Sequence, residues 1–388
     1  MPASSWRLGR SVSRAIVVAA TGAPYTLAST RRPTSCEVED AKSSRSRQSV
    51  TVNERGTLVN HGPLKIFSGN AHRDLAQGIA NAMQAPLGSA DVGRFKCGEV
   101  SVLINESVRD CDVFIVQPTC NGGNGPQEHL VELLVMIDAV RRSAANRITA
   151  VIPHFGYARQ SAKEQSRTPI TAKLVTDMLQ VAGANRVMTV ELHVPQIQGF
   201  ASYPVDNMYA LPLLAREVES IMRDRGLSSN DIVVVSPDVG GAKRAAALAK
   251  KLCAPLAIFS KQRRRPTQES EVDLVGEVAG KTCIIVDDVA DTTKTICDAA
   301  DTLITRGARS VIATVVHGIF SDPACETILE SGIELVIVTD TIPLDEKALR
   351  CPKLRIISVA ELLGNAIMRV HKGQSLSVLF DSIDAPLP

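Results

Sequence analysis

Thr282-Cys-Ile-Ile-Val-Asp287-Asp288-Val-Ala-Asp291-Thr292-Thr293-Lys294-Thr295 is the stretch that decides the reading of this 388-residue chain. A continuous apolar run ends in two adjacent carboxylates. Strands buried on both faces show such runs rather than strict alternation, and they belong to parallel sheets. Functional groups in those sheets gather at the carboxyl ends of the strands. The threonine-rich turn then opens a helix, whose exposed N–H groups and neighbouring hydroxyls form an anion site. Two carboxylates just before it can accept hydrogen bonds from vicinal sugar hydroxyls, so the stretch fits a sugar 5-phosphate. As a purely structural feature it would be an N-cap turn whose acids suit the helix dipole. The acid pair and the anion nest at one strand end favour the functional reading.

Working outward, apolar runs and helical spacing alternate along the body. Strands are expected over 64–67, 112–117, 147–152 and 186–190, with helices over 72–83, 128–142 and 170–182. A second set follows, with strands over 231–236, 255–259, 281–286, 309–316 and 333–338. Its helices are expected over 241–252, 294–306 and 322–331. Asn121-Gly-Gly-Asn-Gly-Pro126 reads as a loop. Alternating strands and helices imply parallel α/β sheets. Two such sets, joined near 203–212, suggest two similar domains.

Four further strand ends carry chemistry. Ile232-Val-Val-Val-Ser236-Pro237-Asp238-Val-Gly240-Gly241-Ala-Lys243-Arg244 repeats the theme of a strand, an acid and a basic helix, so Asp238 is a candidate for a metal or a sugar hydroxyl. Val151-Ile-Pro-His-Phe-Gly-Tyr157-Ala-Arg159-Gln160 leads into Lys163, Ser166 and Arg167, and an arginine near a strand end suits bidentate phosphate binding. Glu191-Leu-His193 places an acid and an imidazole after an apolar strand. Lys261-Gln-Arg263-Arg264-Arg265 is a cationic segment able to close over a polyphosphate and stabilise developing charge. Without interleaved aromatics it is a poor nucleic-acid patch.

Composition narrows the classes. The chain is 45% hydrophobic and 22% charged with a net charge of +2, which is ordinary for a globular protein and offers no basis for a nucleic-acid partner. Apolar runs such as that at 15–20 are far shorter than the roughly 18 residues a membrane helix needs, so no membrane span is expected. The nine cysteines include no Cys-x-x-Cys pair, which fits a reducing compartment. Residues 1–62 carry nine Lys and Arg but four Asp and Glu, with no acid before Glu37. This basic extension is expected to be disordered and has the composition of a transit peptide. The expected location is mitochondrial if it is one, and cytoplasmic otherwise.

Taken together, these motifs resemble the ribose-phosphate diphosphokinases, or phosphoribosyl pyrophosphate (PRPP) synthetases. The resemblance rests on Asp287 to Thr295, Ser236 to Arg244, Tyr157-Ala-Arg-Gln160 and Glu191 to Phe200. Pro204-Val-Asp-Asn207, Val316-His-Gly-Ile-Phe320, Thr341-Ile-Pro343 and Gly373-Gln-Ser-Leu-Ser-Val-Leu-Phe380 extend it, and it runs unbroken over about 63–381. It implies an α/β fold with two phosphoribosyltransferase-like domains, each a mainly parallel sheet flanked by helices. The expected division is 63–207, 208–365 and a C-terminal tail over 366–388 near a regulatory site. It implies transfer of the diphosphoryl group of ATP to the anomeric hydroxyl of ribose 5-phosphate, giving PRPP and AMP for nucleotide biosynthesis, with Mg2+ as cofactor. It also implies assembly into dimers or hexamers, or into mixed oligomers with another synthetase chain.

By position, the resemblance places Phe95 and Glu99 in an adenine loop, and Arg159, Gln160 and His193 at ATP. His193, Asp238, Glu191 and Asp206 fall at metal-associated positions. Lys261 and Arg263, with Arg159, form the catalytic set. Asp287, Asp288, Asp291, Thr292, Thr293, Lys294 and Thr295 form the ribose-5-phosphate site. Ser107, Arg109, Lys163, Ser375, Ser377 and Phe380 match positions tied to activation by phosphate and inhibition by ADP.

The chain departs from the family pattern at several of these positions. Lys294 stands where the loop has glycine, which would be strained if that position is left-handed. Cys97 replaces an asparagine of the adenine loop, Ser161 and Ala162 replace an acid and a lysine, Glu191 replaces an aspartate, and Ser202 replaces another acid. These departures keep two alternatives in view. One is a weakly active or inactive paralogue serving as regulatory subunit of a synthetase complex. The other is a phosphoribosyltransferase that uses PRPP.

Overall fold

The structure is a computed structural model that describes residues 61–262 and 271–381, together with two short strands, β1 (Thr51–Val52) and β2 (Leu58–Val59), which pair antiparallel. Nearly all of the basic extension therefore lies outside the described residues. Gln48–Pro388 forms one compact unit.

The first set of elements is β3 (Leu64–Ser68), α1 (Arg73–Ala82), β4 (Ala90–Arg94), β5 (Val100–Ile104), β6 (Asp112–Val116), α2 (Pro126–Arg142), β7 (Arg147–Ile152), α3 (Thr171–Ala182), β8 (Arg186–Val190) and β9 (Val205–Met208). The sheet is five-stranded in the order β3-β6-β7-β8-β9, and every pairing in it is parallel. The β4–β5 hairpin stands apart from it and packs on α2.

The second set runs α4 (Leu211–Asp224), β10 (Ile232–Ser236), α5 (Ala242–Lys251), β11 (Leu256–Gln262), β12 (Glu271–Val275), β13 (Thr282–Ala290), α6 (Lys294–Thr305), β14 (Ser310–Gly318), α7 (Ala324–Glu330), β15 (Ile333–Thr339), α8 (Glu346–Arg350), β16 (Leu354–Ile357), α9 (Ala360–His371) and α10 (Val378–Asp381). Its sheet is seven-stranded, β12-β11-β10-β13-β14-β15-β16, parallel except at the edge, where β12 runs antiparallel to β11. Both sheets are thus mainly parallel and flanked by helices, as the apolar runs imply.

Alternate residues of the buried strands feed different cores. Val233 and Val235 of β10 face a core with α6 and α7, whereas Ile232 and Val234 face another. That second core is shared, because it also holds Ile66, Val116, Val151 and Met188 of the first sheet. Helix α9 belongs to it and crosses the expected boundary at 365–366. Gly78 of α1 and Gly364 of α9 allow the close approach. A Cβ on Gly364 would come within 3.1 Å of the Ala82 Cβ, and one on Gly78 within 3.1 Å of the Ala360 Cβ.

The amino end of the first sheet is locked by charge. Asp112, fully buried at the start of β6, accepts from Arg147 Nε at 2.8 Å and pairs with His371 Nδ1 at 2.8 Å. Arg147 also donates to the carbonyl of Val370. Burial alone would raise the Asp112 pKa, but hydrogen bonds from His371 and Arg147 outweigh it and hold the carboxyl below its usual range. The stability this contributes is present above the unfolded carboxylate range and is lost as pH falls through the depressed folded value. Asp112→Asn is expected to lose about 3–5 kcal/mol, the usual cost of breaking a buried pair, with a flatter acid limb in urea unfolding across pH.

Candidate active site

The strand ends opposite that lock converge on a cleft of about 360 Å³. Its walls come from both sheets: Arg159 and His193 from the loops after β7 and β8, Asp238, Gly240 and Gly241 from the β10–α5 turn, and Arg244 from the first turn of α5. Asp287, Asp288, Asp291, Thr292, Thr293 and Thr295 from β13 and the start of α6 complete it.

The acid pair is the electrostatic centre. Asp288 sits at 6% exposure and pairs with His193 Nδ1 at 2.7 Å and Arg244 Nη1 at 3.4 Å. Burial pushes its pKa up, but the His193 hydrogen bond and the Arg244 charge overcome this and hold it well below the ordinary value. Asp287 is pushed up to about 7 by burial and by the charge of Asp288. Hydrogen bonding to Asp288 raises the His193 pKa against a smaller effect of burial. The structure therefore holds one carboxylate ionised and its neighbour near neutral, the expected outcome for like charges at one strand end.

The turn after the pair is built for an anion. Thr293 takes φ 59 and closes the turn, and α6 begins at Lys294 with no side-chain cap on its first N–H groups. The Thr293 hydroxyl is turned inward toward the carbonyls of Thr292 and Ala324. Thr292 and Thr295 remain exposed on the cleft side. The concern over Lys294 is corrected here. The left-handed position is Thr293, and Lys294 is an ordinary, exposed first helical residue.

Arg159 Nη1 donates to Asp291 Oδ2 at 2.8 Å and so joins the two sheets across the cleft. Burial would raise the Asp291 pKa, but hydrogen bonds from Ser321 and Arg159 hold it down. Gln160 lies beside Arg159, with its amide oxygen accepting from the Thr171 hydroxyl. Asp238 is exposed, and its Oδ1 accepts from the Gly241 N–H at 2.8 Å.

Other expected positions fall elsewhere. Glu191 is 8% exposed and lies behind the cleft wall, beside an inner cavity of about 70 Å³. Its carboxylate accepts from the Ala210 N–H and from Arg244 Nε. Burial pushes its pKa up. Asp206 is near the amino-end side of β9 and is paired with Arg186. Neither lines the cleft, which corrects their placement as metal ligands there: one is consumed by the protein's own donors, the other sits away from the carboxyl ends of the strands. Phe95 is 59% exposed and, with Glu99, closes the turn of the β4–β5 hairpin. Nothing from that hairpin lines the cleft.

Ser107 and Arg109 are exposed just before Asp112, whereas Lys163 is exposed in the loop after β7, at the other end of the sheet. Ser375 and Ser377 share a 2.7 Å hydroxyl contact, and Phe380 stacks edge-on to Tyr209. The His371–Asp112 contact ties the end of α9, from which this tail continues, to the start of β6, which Ser107 and Arg109 precede in the chain. The backbone of Lys261 pairs with Val272 in the β11–β12 ladder. Arg263 lies outside the described residues.

Sequence reasoning missed Arg244, which touches Glu191, Asp287 and Asp288. Its signal was present as the basic start of the helix after the Gly-Gly turn. It also missed His317, whose Nε2 meets the Glu191 carbonyl and whose pKa burial pushes down to about 4. Left-handed backbone clusters at the same rim: Tyr157, Glu191, Thr293 and Phe320 all have positive φ. For such residues this costs roughly 1–2 kcal/mol each, and strain of this kind concentrates at functional sites.

A parallel strand ending in an acid pair, followed by a hydroxyl-rich anion turn, defines a phosphoribosyltransferase-type site. The comparisons carry this further. Residues 64–183 match the family described as the N-terminal domain of ribose phosphate pyrophosphokinase, and residues 261–381 match the phosphoribosyl synthetase-associated domain. The chain is 48% identical over 317 residues to ribose-phosphate pyrophosphokinase A of Dictyostelium discoideum, covering 82% of this chain and 98% of that one. It is 47% identical over 318 residues to the ribose-phosphate pyrophosphokinase of Mesorhizobium japonicum, covering 82% of this chain and all of that one. The phosphoribosylpyrophosphate synthetase of Mycobacterium smegmatis has a similar structure, with a TM-score of 0.74 and 41% identity, covering 80% of this chain and 100% of that chain. The chain belongs to the ribose-phosphate pyrophosphokinase family.

The raised pKa of Asp287 has a consequence for stability. Its protonated form contributes stability below the unfolded carboxylate range, and this is lost as pH rises toward about 7. Asp287→Asn is therefore expected to raise the melting temperature by a few degrees at pH 8, and by less at pH 5, in thermal denaturation of the ligand-free protein.

Proposed function

We propose that the protein transfers the diphosphoryl group of ATP to the anomeric hydroxyl of ribose 5-phosphate, giving PRPP and AMP. The observation that carries this is the acid pair held next to the uncapped start of α6, with Arg159 facing it across the cleft. The 5-phosphate is read as sitting on the α6 N–H groups with Thr292 and Thr295, where the helix dipole favours an anion. The Asp287–Asp288 pair would take the ribose hydroxyls. Protonated Asp287 can donate, and ionised Asp288 accepts. Arg159 and His193 face the polyphosphate, so the two reactants are held by loops of different sheets and brought into line by the fold. Catalysis is then positioning and charge neutralisation.

Mg2+ fits this cleft as an ion shared with the substrate's phosphates. Among the described residues no three His, Cys, Asp or Glu side chains converge as a cage. Mg2+ is commonly held by one or two carboxylates together with substrate phosphates. The cations of the lining are already paired with acids, Arg159 with Asp291 and Arg244 and His193 with Asp288, so they alone do not neutralise a polyphosphate. Exposed Asp238, with His193 nearby, is best placed to hold the ion, whose role when bound is to neutralise phosphate charge.

The hairpin position of Phe95 supports a homo-oligomer. An adenine contact from Phe95 and Glu99 requires the hairpin to reach the cleft of a second copy. Phosphate and ADP are the effectors to test at the tail.

Incubating the protein with ATP, ribose 5-phosphate and Mg2+ is expected to yield AMP and PRPP in equal amounts. Asp288→Asn should lower turnover about 100-fold or more, the scale on which loss of a positioned polar group acts. Product-free, folded wild-type protein would overturn the assignment. Lys294→Gly should leave turnover within about threefold, because Lys294 is unstrained and gains nothing from glycine's freedom. Phe95→Ala and Asp288→Asn chains, weak alone, should recover activity when dissociated and reassembled together; no recovery would reject the shared cleft.

A further inference from the structure

Val316-His-Gly-Ile-Phe320 has no part in the chemistry above, yet its histidine lies at the junction of the two sheets. His317 is 2% exposed at the end of β14. Its Nε2 is 3.0 Å from the Glu191 carbonyl oxygen. A carbonyl only accepts, so Nε2 carries the ring proton and donates it. Nδ1 must then accept, and the Thr341 hydroxyl stands 2.8 Å away to donate. The Thr341 hydroxyl also lies 3.3 Å from the carbonyl of Val316, but Thr339 donates to that oxygen at 2.6 Å, and the ring nitrogen is the nearer acceptor for Thr341. Together these contacts select one tautomer. The ring also lies edge-on to His154, with centroids 4.6 Å apart.

Of the three partners of His317, Glu191 and His154 belong to the first sheet's active-site loops. Glu191 takes the left-handed conformation with φ 45, and two residues on, His193 reaches Asp288. His154 precedes Arg159 in the loop after β7. Within the first sheet, the Glu191 and Leu192 N–H groups are held by Met208 and Asn207. From the second sheet, Arg244 reaches the Glu191 side chain. His317 is what holds the backbone oxygen of that turn.

We propose that His317 is a positioning residue for the transfer reaction: it clamps the left-handed Glu191 turn of the first sheet to the second sheet, and thereby sets where His193 and Arg159 stand relative to the ribose-5-phosphate loop. This rests on the reaction proposed above. The reactants are divided between loops of two sheets, so a shift of about 1 Å in one loop can cost about 100-fold in rate.

His317→Leu removes the donor, whereas His317→Gln can still place an N–H near the Glu191 oxygen. Thr341→Val removes the hydroxyl that selects the tautomer and is close to isosteric. The leucine variant is expected to lose about 10–100-fold in kcat, with the KM for ribose 5-phosphate within about threefold of wild type. The glutamine variant should recover to within about threefold, and Thr341→Val should fall between them. Amide exchange followed by mass spectrometry supplies a readout independent of turnover. Segment 190–194 should exchange faster in the leucine and valine variants and stay protected in the glutamine variant, with β10 and β13 unchanged in all three.

Two results overturn the proposal. One is a leucine variant with kcat within twofold of wild type and unchanged exchange at 190–194. The other is equal loss in the leucine and glutamine variants with faster exchange throughout the second sheet, which marks His317 as packing alone. If the leucine variant does not fold, Thr341→Val against wild type decides by the same two readouts. If the wild type makes no PRPP, the reaction fails, and the exchange pattern still decides whether His317 holds the turn.

Discussion

Two adjacent carboxylates at the end of a buried strand cannot both be charged without compensation, and the arrangement of the cleft follows from that constraint. Asp288 is kept ionised by His193 and Arg244, and Asp287 is left near neutrality. The compensating groups come from different places. His193 stands on a loop of the first sheet, and Arg244 on the first turn of α5 in the second. Arg159, again from the first sheet, pairs with Asp291. The acids at the strand end of one sheet are therefore also what draws the loops of the other sheet to it. The shared apolar core supplies the bulk of the attachment without direction, while these charged contacts give it register.

The cleft is built against local preference. Tyr157, Glu191, Thr293 and Phe320 adopt left-handed backbone, and each lies where a strand gives way to an active-site loop. None is a glycine, so the surroundings must enforce the conformation. For Glu191 the enforcement is visible: its N–H, carbonyl and carboxylate each have a partner on a neighbouring element. The elevated pKa of Asp287 is the electrostatic counterpart of this strain. Both are local costs that the rest of the fold must offset.

The amino ends of the first sheet's strands serve the opposite purpose. Asp112, Arg147 and His371 form a charged, hydrogen-bonded cluster around one buried carboxylate. It ties α9 to the start of β6 in the first sheet. One end of the sheet is thus a fastening and the other a site, as expected for parallel α/β sheets, whose loops at the carboxyl ends are free to specialise.

Much of this was legible in the chain. Strands 147–152 and 186–190 coincide with the observed β7 and β8, because runs such as Arg147–Ile152 are buried on both faces and need no partner to be recognised. The β4–β5 hairpin, β16 and α9 escaped notice, since their residues are half exposed or take their meaning from distant elements. Within the site, Asp287, Asp288, Arg159, His193 and Asp238 stood out because chemistry-bearing side chains follow apolar strands. The sequence could not separate Asp206 from these, although it faces Arg186 instead, nor show that Glu191 is turned inward. Arg244 and His317 meet Glu191 across the junction of the sheets, and a contact between residues 53 or more positions apart leaves no local pattern. Local hydrophobicity determined the strands and the ends at which function lies. Tertiary packing alone decided how the acid pair is ionised, which residue carries the left-handed turn and which histidine holds the two halves in register, because each depends on burial and contacts supplied by elements distant in the chain.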